Sequence, residues 1–454
     1  MATLWAEQAL LADGWARHVR IDIGGKGRIA AITPDAEPTG IRLGALLPAP
    51  CNAHSHAFQR AMAGLTERRG DDPTDTFWTW RRLMYRFLDQ VTPDQVQAIA
   101  ALVQMEMLEA GFATNVEFHY LHHQPDGTPY ADLAELAARI AAAAAKTGIG
   151  LTLLPVQYEF GGCDRRPVGT GQRRFYNDPD RYARLLERAG DCVDTLPADC
   201  VLGVAPHSLR AVGPEGLKRA ADLLSDAPIH MHIAEQIAEV QEVETCFGAR
   251  PVAWALANLP IDTRWCLIHA TQMQPRETAG LAATGAVAGL CPLTEASLGD
   301  GTFDGVRFLG AGGRIAIGSD SNIRISLAEE IRQLDCSQRL RDHTRAALAT
   351  PEHSTGRRIF EAICSGGAQA AGRQSGAITV GAWADLLALD TTHIDLAGLS
   401  GDTLIDSFAF TGDNRMVSDV WAAGRHMVRG GRHIDREAIQ DAYRTAIAPL
   451  RDGL

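Results

Sequence analysis

Two periodicities divide the chain. From residue 1 to about 46, apolar and polar positions alternate in short stretches broken by glycine, and "HVRIDIGG" with "RIAAITPD" predicts a β-hairpin. From 47 onward, short continuous apolar runs alternate with stretches of helical periodicity. The runs are "ALLPAPCNAHSH", "FATNVEFHY", "IGLTLLPVQY", "CVLGVAPHSLR", "PIHMHIAE", "RWCLIHAT", "GAVAGLCPLT" and "RIAIGSDSN". Between them, "TPDQVQAIAALVQMEMLEAG" predicts a helix with Thr92 as N-cap, Pro93 in the first turn and Gly111 as the stop. The Ala-rich "LAELAARIAAAAAKTG" predicts another, and "SLAEEIRQLDCSQRL" a third that opens on a capping box of Ser326 and Glu329.

Strands that are apolar throughout must be covered on both faces, and strand and helix in alternation give parallel sheets with helices outside. Eight such units predict an α/β chain whose centre, residues 47–375, is a (β/α)8 TIM-like barrel. A doubly wound open sheet is the competing arrangement. The tail, "GAITVGAWADLLALDTT" through "VSDVWAAGRHMVRGG", returns to short strands with glycine turns. Residues 376–454 are therefore expected to pair with 1–46 in a small β-sandwich domain built from both chain termini, ending in a helix.

The ends of the runs carry the chemistry. Side chains two apart on a strand share a face, so His54 and His56 both point toward the mouth of the barrel, where barrel active sites lie. His119, His207, His230, His232, His269 and Asp320 also stand at run ends. A single one of these, such as His230, reads as a core histidine with a hydrogen-bond partner. Taken as a set, His54, His56, His232 and Asp320 predict a metal site, and three nitrogens with one oxygen suit zinc with a position left for water. The run "CVLGVAPHSLR" has no lysine to bridge a second ion, so one metal per chain is expected. Glu235, three residues after His232, is placed to act on the water as a proton shuttle; the plain reading is an acid at a helix N-terminus.

Composition narrows the partners. The formal net charge of −12 argues against nucleic acid or an anionic membrane surface. The nine cysteines are scattered without a C-x-x-C pair, which fits reduced thiols and a cytoplasmic protein. No signal peptide or apolar run of membrane-spanning length is expected. Lysine occurs only at 26, 146 and 218, so arginine supplies nearly all the positive charge.

Seven stretches, "HSHAFQRAMAGL", "FWTWRRLMYRF", "EFHYLHH", "APHSLRAV", "HIAEQ", "LIHAT" and "GSDSN", together resemble the amidohydrolase superfamily and, within it, the N-formimino-L-glutamate deiminases of histidine degradation. The resemblance implies a homodimeric zinc enzyme that hydrolyses a formimino group to a formyl group with release of ammonia. Iron(II) is the second metal used by related deaminases. It implies that His54, His56, His232 and Asp320 hold the metal, that Glu235 carries protons, and that His269 and Asp320 assist the attacking water. It assigns contacts with the dicarboxylate substrate to Gln59, Arg81, Tyr120, His207 and Arg210. Forked arginine donors suit carboxylates. Arg165, Arg166, Arg173 and Arg174, in the loop after the third run, are expected to be solvated charges, one of them a candidate for a lid. Two competing readings are a deaminase of a heteroaromatic base such as guanine or cytosine, and a catalytically silent barrel that serves as a binding protein.

Overall fold

The computed structural model describes residues 2–67 and 77–452. Its centre is a ring of parallel strands, Cys51–Ser55, Thr114–His119, Gly150–Gln157, the broken pair Val201–Leu202 and Ala205–Pro206, Ile229–Ile233, Trp265–His269, Val287–Leu290 and Arg314–Ile317. Two single bridges complete it: Val204 with Ile229, and Ser55 with Asp320. The second joins the eighth strand to the first, so the sheet is a closed barrel and the open-sheet arrangement falls. Nearly every strand residue is buried, as expected where side chains fill the barrel inside and helices cover it outside. Gly318 permits the closing contact, because a Cβ there would come within 2.5 Å of the His54 backbone nitrogen.

The helix Pro93–Glu109 begins as its sequence predicts. Thr92 accepts from Gln95 N, and the Gln95 side chain accepts from Thr92 N. Its last turn closes on Ala110, and Gly111 follows with φ of 101°, a conformation that favours glycine. At Leu327–Asp342 only half of the expected box forms. Ser326 accepts from Glu329 N, but the Glu329 carboxylate pairs with Arg324 instead of reaching back.

Both chain ends build one eight-stranded sheet. Ile41–Pro48 lies in its middle, parallel to Ala2–Leu11 and antiparallel to Leu386–Leu389. That strand runs two residues beyond the expected boundary at 46 and leads directly into the first barrel strand. The outer hairpin folds back on the centre, since Ile29 N donates to Ala382 O and Ala384 N donates to Gly27 O. The sheet thus folds back around a core of Leu4, Val19, Ile21, Leu46, Leu386 and Trp421, forming the small β domain expected from both chain termini. The terminal helix Arg436–Asp452 leaves this sheet and lies against Pro93–Glu109 of the barrel, with Gln95 Nε2 donating to Ala446 O.

Barrel and sheet are tied by a buried ionic network. Arg373 lies 3.1 Å from Asp199 and 2.8 Å from Asp385, and Arg425 lies 2.7 Å from Asp199. Burial works to raise the Asp199 carboxyl, but the two guanidiniums outweigh it and hold it below its ordinary range. Removing one partner of such a network leaves charges buried and unpaired, so Arg373→Met is expected to cost ~3–5 kcal/mol, read as a fall in the thermal midpoint. The sign with pH follows from the depressed carboxyl: its stabilisation is full above about pH 4 and drains away as pH falls through the folded-state value. The variant is expected to show a flatter acid limb, and an unchanged midpoint and limb would refute the role of the network.

Candidate active site

The strand ends meet at one mouth. Nε2 of His54 lies 3.1 Å from Nε2 of His232 and 3.2 Å from Nε2 of His56. Asp320 Oδ1 lies 3.3 Å from His56 Nε2 and 3.5 Å from His54 Nε2. The strand ends are turned inward by backbone that ordinary residues rarely adopt: φ is 50° at Ala234, 70° at His269, 47° at Asp320 and 56° at Asn322. Such strain clusters at functional sites and persists only where the surroundings enforce it. At Asp320 and Asn322 the side chains of Asn52 and Asn322 enforce it. Asn52 bridges to Ser319, Ser319 Oγ donates to Asn322 Oδ1, and Asn322 Nδ2 donates to Ser55 Oγ and to the Asp320 carbonyl.

The donor set fits a cation. His56 Nδ1 faces the Phe118 carbonyl at 2.9 Å and His232 Nδ1 faces the His207 carbonyl at 3.2 Å. A carbonyl only accepts, so each Nδ1 carries the proton and each Nε2 turns a lone pair inward. Burial pushes His54 down to about 3 and lowers His56 and His232, so the rings are neutral, and in His56 and His232 the single proton sits on Nδ1. Burial alone would raise Asp320, but the hydrogen bond with His54 and the neighbouring imidazoles hold it well below the usual carboxylate range. Converging lone pairs repel unless a positive ion lies between them. Tetrahedral bonds of ~2.0–2.1 Å to zinc separate donor atoms by roughly 3.3 Å, close to the spacing here.

A cavity opens beside this cluster. His56, Gln59, Tyr120, His207, Arg210, His232, Glu235, His269 and Asp320 line it, and His54 lies behind them, fully buried. The Arg81 side chain lies outside the described residues, although the helix that carries it, Phe77–Leu88, sends Trp80 and Met84 into the wall. Gln59 Nε2 donates to the Tyr120 hydroxyl at 2.9 Å, while its buried Oε1 meets no protein partner. Gln59 rides on the turn Ala57–Met62, whose first N–H is held at 2.7 Å by Glu117. Burial drives that carboxyl up to about 7.

Glu235 stands across the cavity from the imidazoles. Its Oε2 is 3.9 Å from Arg210 and its Oε1 is 3.7 Å from His269 Nε2. Burial raises its proton affinity, and the charges of His269 and Arg210 restrain the rise. A carboxyl whose proton affinity is raised in this way is suited to take up and hand on a proton. For His269 burial works downward, but Glu235, Glu295 and Asp320 outweigh it and bring the imidazole up to about 10. As the sequence suggested, His230 is a core residue, bonded through Nε2 to the Ala370 carbonyl at 2.7 Å.

Several residues of the site escaped the sequence reading. Tyr158 and Phe175 join Trp80 and Tyr120 in an aromatic wall; of the two, only Tyr158 left a signal, as the residue just beyond a strand end. Glu295, in the short helix Pro292–Leu298 after the seventh strand, and Asp300 just beyond it are buried beside His269 and Glu235. Burial pushes the Asp300 carboxyl up, and its Oδ2 meets no protein partner. Arg174 corrects an expectation: it is 1% exposed and donates to the backbone carbonyls of His123, Leu88 and Val91, so it ties loops together instead of meeting solvent. Arg165 and Arg166 are exposed, with carboxylates of Glu215, Asp164 and Glu242 nearby.

A closed parallel barrel with imidazoles and a carboxylate converging at the C-terminal strand ends defines the class: a metal-dependent hydrolase of the barrel type. The profile of the Amidohydrolase family matches residues 45–427, and that of "Formimidoylglutamate deiminase HutF, N-terminal domain" matches residues 1–41. The chain is 48% identical over 456 residues, covering 100% of both sequences, to the formimidoylglutamate deiminase of Pseudomonas aeruginosa. It is 24% identical over 405 residues, 87% of this chain and 84% of the other, to a 5-methylthioadenosine/S-adenosylhomocysteine deaminase of Bacillus cereus. The crystal structure of an amidohydrolase from Brucella melitensis superimposes with a TM-score of 0.95 at 47% identity, covering 99% of this chain and 100% of that one. The chain belongs to the amidohydrolase family, in its formimidoylglutamate deiminase branch.

Proposed function

We infer that this protein hydrolyses N-formimino-L-glutamate to N-formyl-L-glutamate and ammonia. The reading is carried by the full-length identity to a deiminase of that name together with a cavity whose base, cation-binding cluster and free arginine donor suit the chemistry. His54, His56, His232 and Asp320 would hold one divalent cation, zinc by the donor set, with iron(II) the second fit. Such a cation supplies Lewis acidity, lowering the pKa of water toward ~7 and polarising the amidine.

The chain's own groups supply the rest. Glu235 takes a proton from the attacking water as its oxygen adds to the formimino carbon. His269, 3.7 Å from Glu235, orients the water and stabilises the charge that builds on the tetrahedral centre. Glu235 then passes its proton to the terminal nitrogen, the C–N bond breaks and ammonia leaves, while the remaining hydroxyl proton of the tetrahedral centre passes to the Asp320 carboxylate as the formyl C=O forms. Arg210 offers a buried Nε without a protein partner and, with His207, is suited to hold a carboxylate of the substrate, while the free Gln59 Oε1, an acceptor, suits a substrate N–H. Arg81 is assigned to the second carboxylate on the family resemblance alone. The unpaired cysteines fit a reducing compartment, in keeping with a cytoplasmic site of action.

One observation favours a second reading. The aromatic wall of Trp80, Tyr120, Tyr158 and Phe175 would also suit a flat heteroaromatic base. Ammonia release measured in parallel from N-formimino-L-glutamate, guanine and cytosine separates the two. Turnover of the first alone is expected, with Arg210→Ala raising its KM about tenfold or more, since a hydrogen bond to a charged group contributes ~1.5–3 kcal/mol. Release from a base, with Arg210→Ala indifferent, would reverse the assignment.

A further inference from the structure

We propose that Glu295 is a positioning residue for the reaction: its carboxylate grips the Nδ1 edge of His269, so that Nε2 is the nitrogen turned toward Glu235 and Asp320. The inference rests on the role given to His269 above. His269 closes the sixth strand and is 1% exposed. Its Nε2 lies 3.7 Å from Glu235 Oε1 and 3.9 Å from Asp320 Oδ2, while Nδ1 lies 3.3 Å from Glu295 Oε1. A carboxylate only accepts, so Nδ1 keeps its hydrogen whether the ring is neutral or charged. With that partner gone, the ring could exchange tautomers or turn over, and either change presents the reacting centre with the wrong nitrogen or the wrong angle.

Glu295 is itself fixed, which a positioning residue must be. It sits in the short helix Pro292–Leu298 after the seventh strand, and its Oε1 also accepts Cys291 N–H at 2.8 Å. The same helix is anchored where Leu293 N–H meets the buried Glu330 carboxylate at 3.0 Å and Thr294 Oγ1 meets the Ser321 hydroxyl at 2.8 Å. Glu295 does not line the catalytic cavity, so an effect on turnover passes through a neighbour, either His269 or the helix whose Thr294 and Leu298 line the wall. The ordinary alternative is that it only caps its own helix through Cys291.

A double-mutant cycle separates the two. Glu295→Ala is expected to lower kcat roughly 10- to 100-fold with KM held within about twofold, the usual scale for an outer hydrogen-bond partner of a site histidine. Glu295→Gln keeps an oxygen for both donors and is expected to recover most of the loss. In a His269→Asn background, Glu295→Ala should cost less than about twofold more, because its partner is already absent. Equal losses in both backgrounds, or glutamine as poor as alanine, would overturn the proposal. If the wild-type protein releases no ammonia from N-formimino-L-glutamate, the functional reading fails, and the ring still decides for Glu295. In zinc-loaded protein labelled with ¹⁵N-histidine, the resonances lost in His269→Asn identify the ring, and its protonated Nδ1 signal should shift in Glu295→Ala. An unmoved signal would also overturn the proposal.

Discussion

Glutamine at position 235 is expected to lower kcat by ~10²- to 10⁴-fold, the range associated with a positioned proton-transfer group, while metal content stays at the wild-type level. Glu235 follows the fifth strand at a bend where Ala234 has φ of 50°, and its backbone N–H is held by the Glu239 carboxylate at 2.9 Å. The side chain is therefore aimed by the main chain and has little freedom to be replaced by a neighbour. Glutamine keeps the shape and the contact with Arg210 but cannot carry a proton between water and the departing nitrogen. KM should move little, because the substrate is held by other groups. A variant retaining more than about a tenth of wild-type kcat would remove Glu235 from the proton path.

The second large effect concerns the cation. Treatment with a chelator is expected to abolish turnover, and zinc or iron(II) should restore it. Asp320→Asn should bind the ion weakly and lose about a thousandfold or more in kcat, since Lewis-acid stabilisation amounts to several kcal/mol. Asp320 supplies the negative charge of the cluster, and its carboxylate oxygens face His54, His56 and His269 together. Elemental analysis beside the rate measurement reads both quantities. Full activity in protein stripped of metal would sink the assignment of these four side chains.

Much of this site could be read along the chain because strands impose a simple rule. Side chains two apart share a face and strand C-termini share one mouth, so His54, His56, His232 and Asp320 announced themselves from far-apart segments. The eight apolar runs similarly foretold the barrel. What could not be read depends on where loops return. Glu295 and Asp300 lie on a connection whose path over the barrel mouth follows no period, and Phe175 reaches the cavity from the long loop after the third strand. Arg174 misled for the same reason: an arginine in a polar loop ordinarily faces water, and only the fold brings the backbone carbonyls of Leu88 and Val91 to it.

One of the two joints closed by a single bridge is also where the candidate ligands gather. Between the first and eighth strands the backbone contributes one bridge, Ser55 to Asp320, with His56 N and Asp320 N each bonded across the gap. His54 and His56 lie on one side of that joint and Asp320 on the other. An ion gripped from both sides would act as a clasp on the cylinder as well as a reagent, so loading and closure are thermodynamically linked. Scarcity of the ion would then reduce how firmly the whole enzyme holds together along with how fast it works.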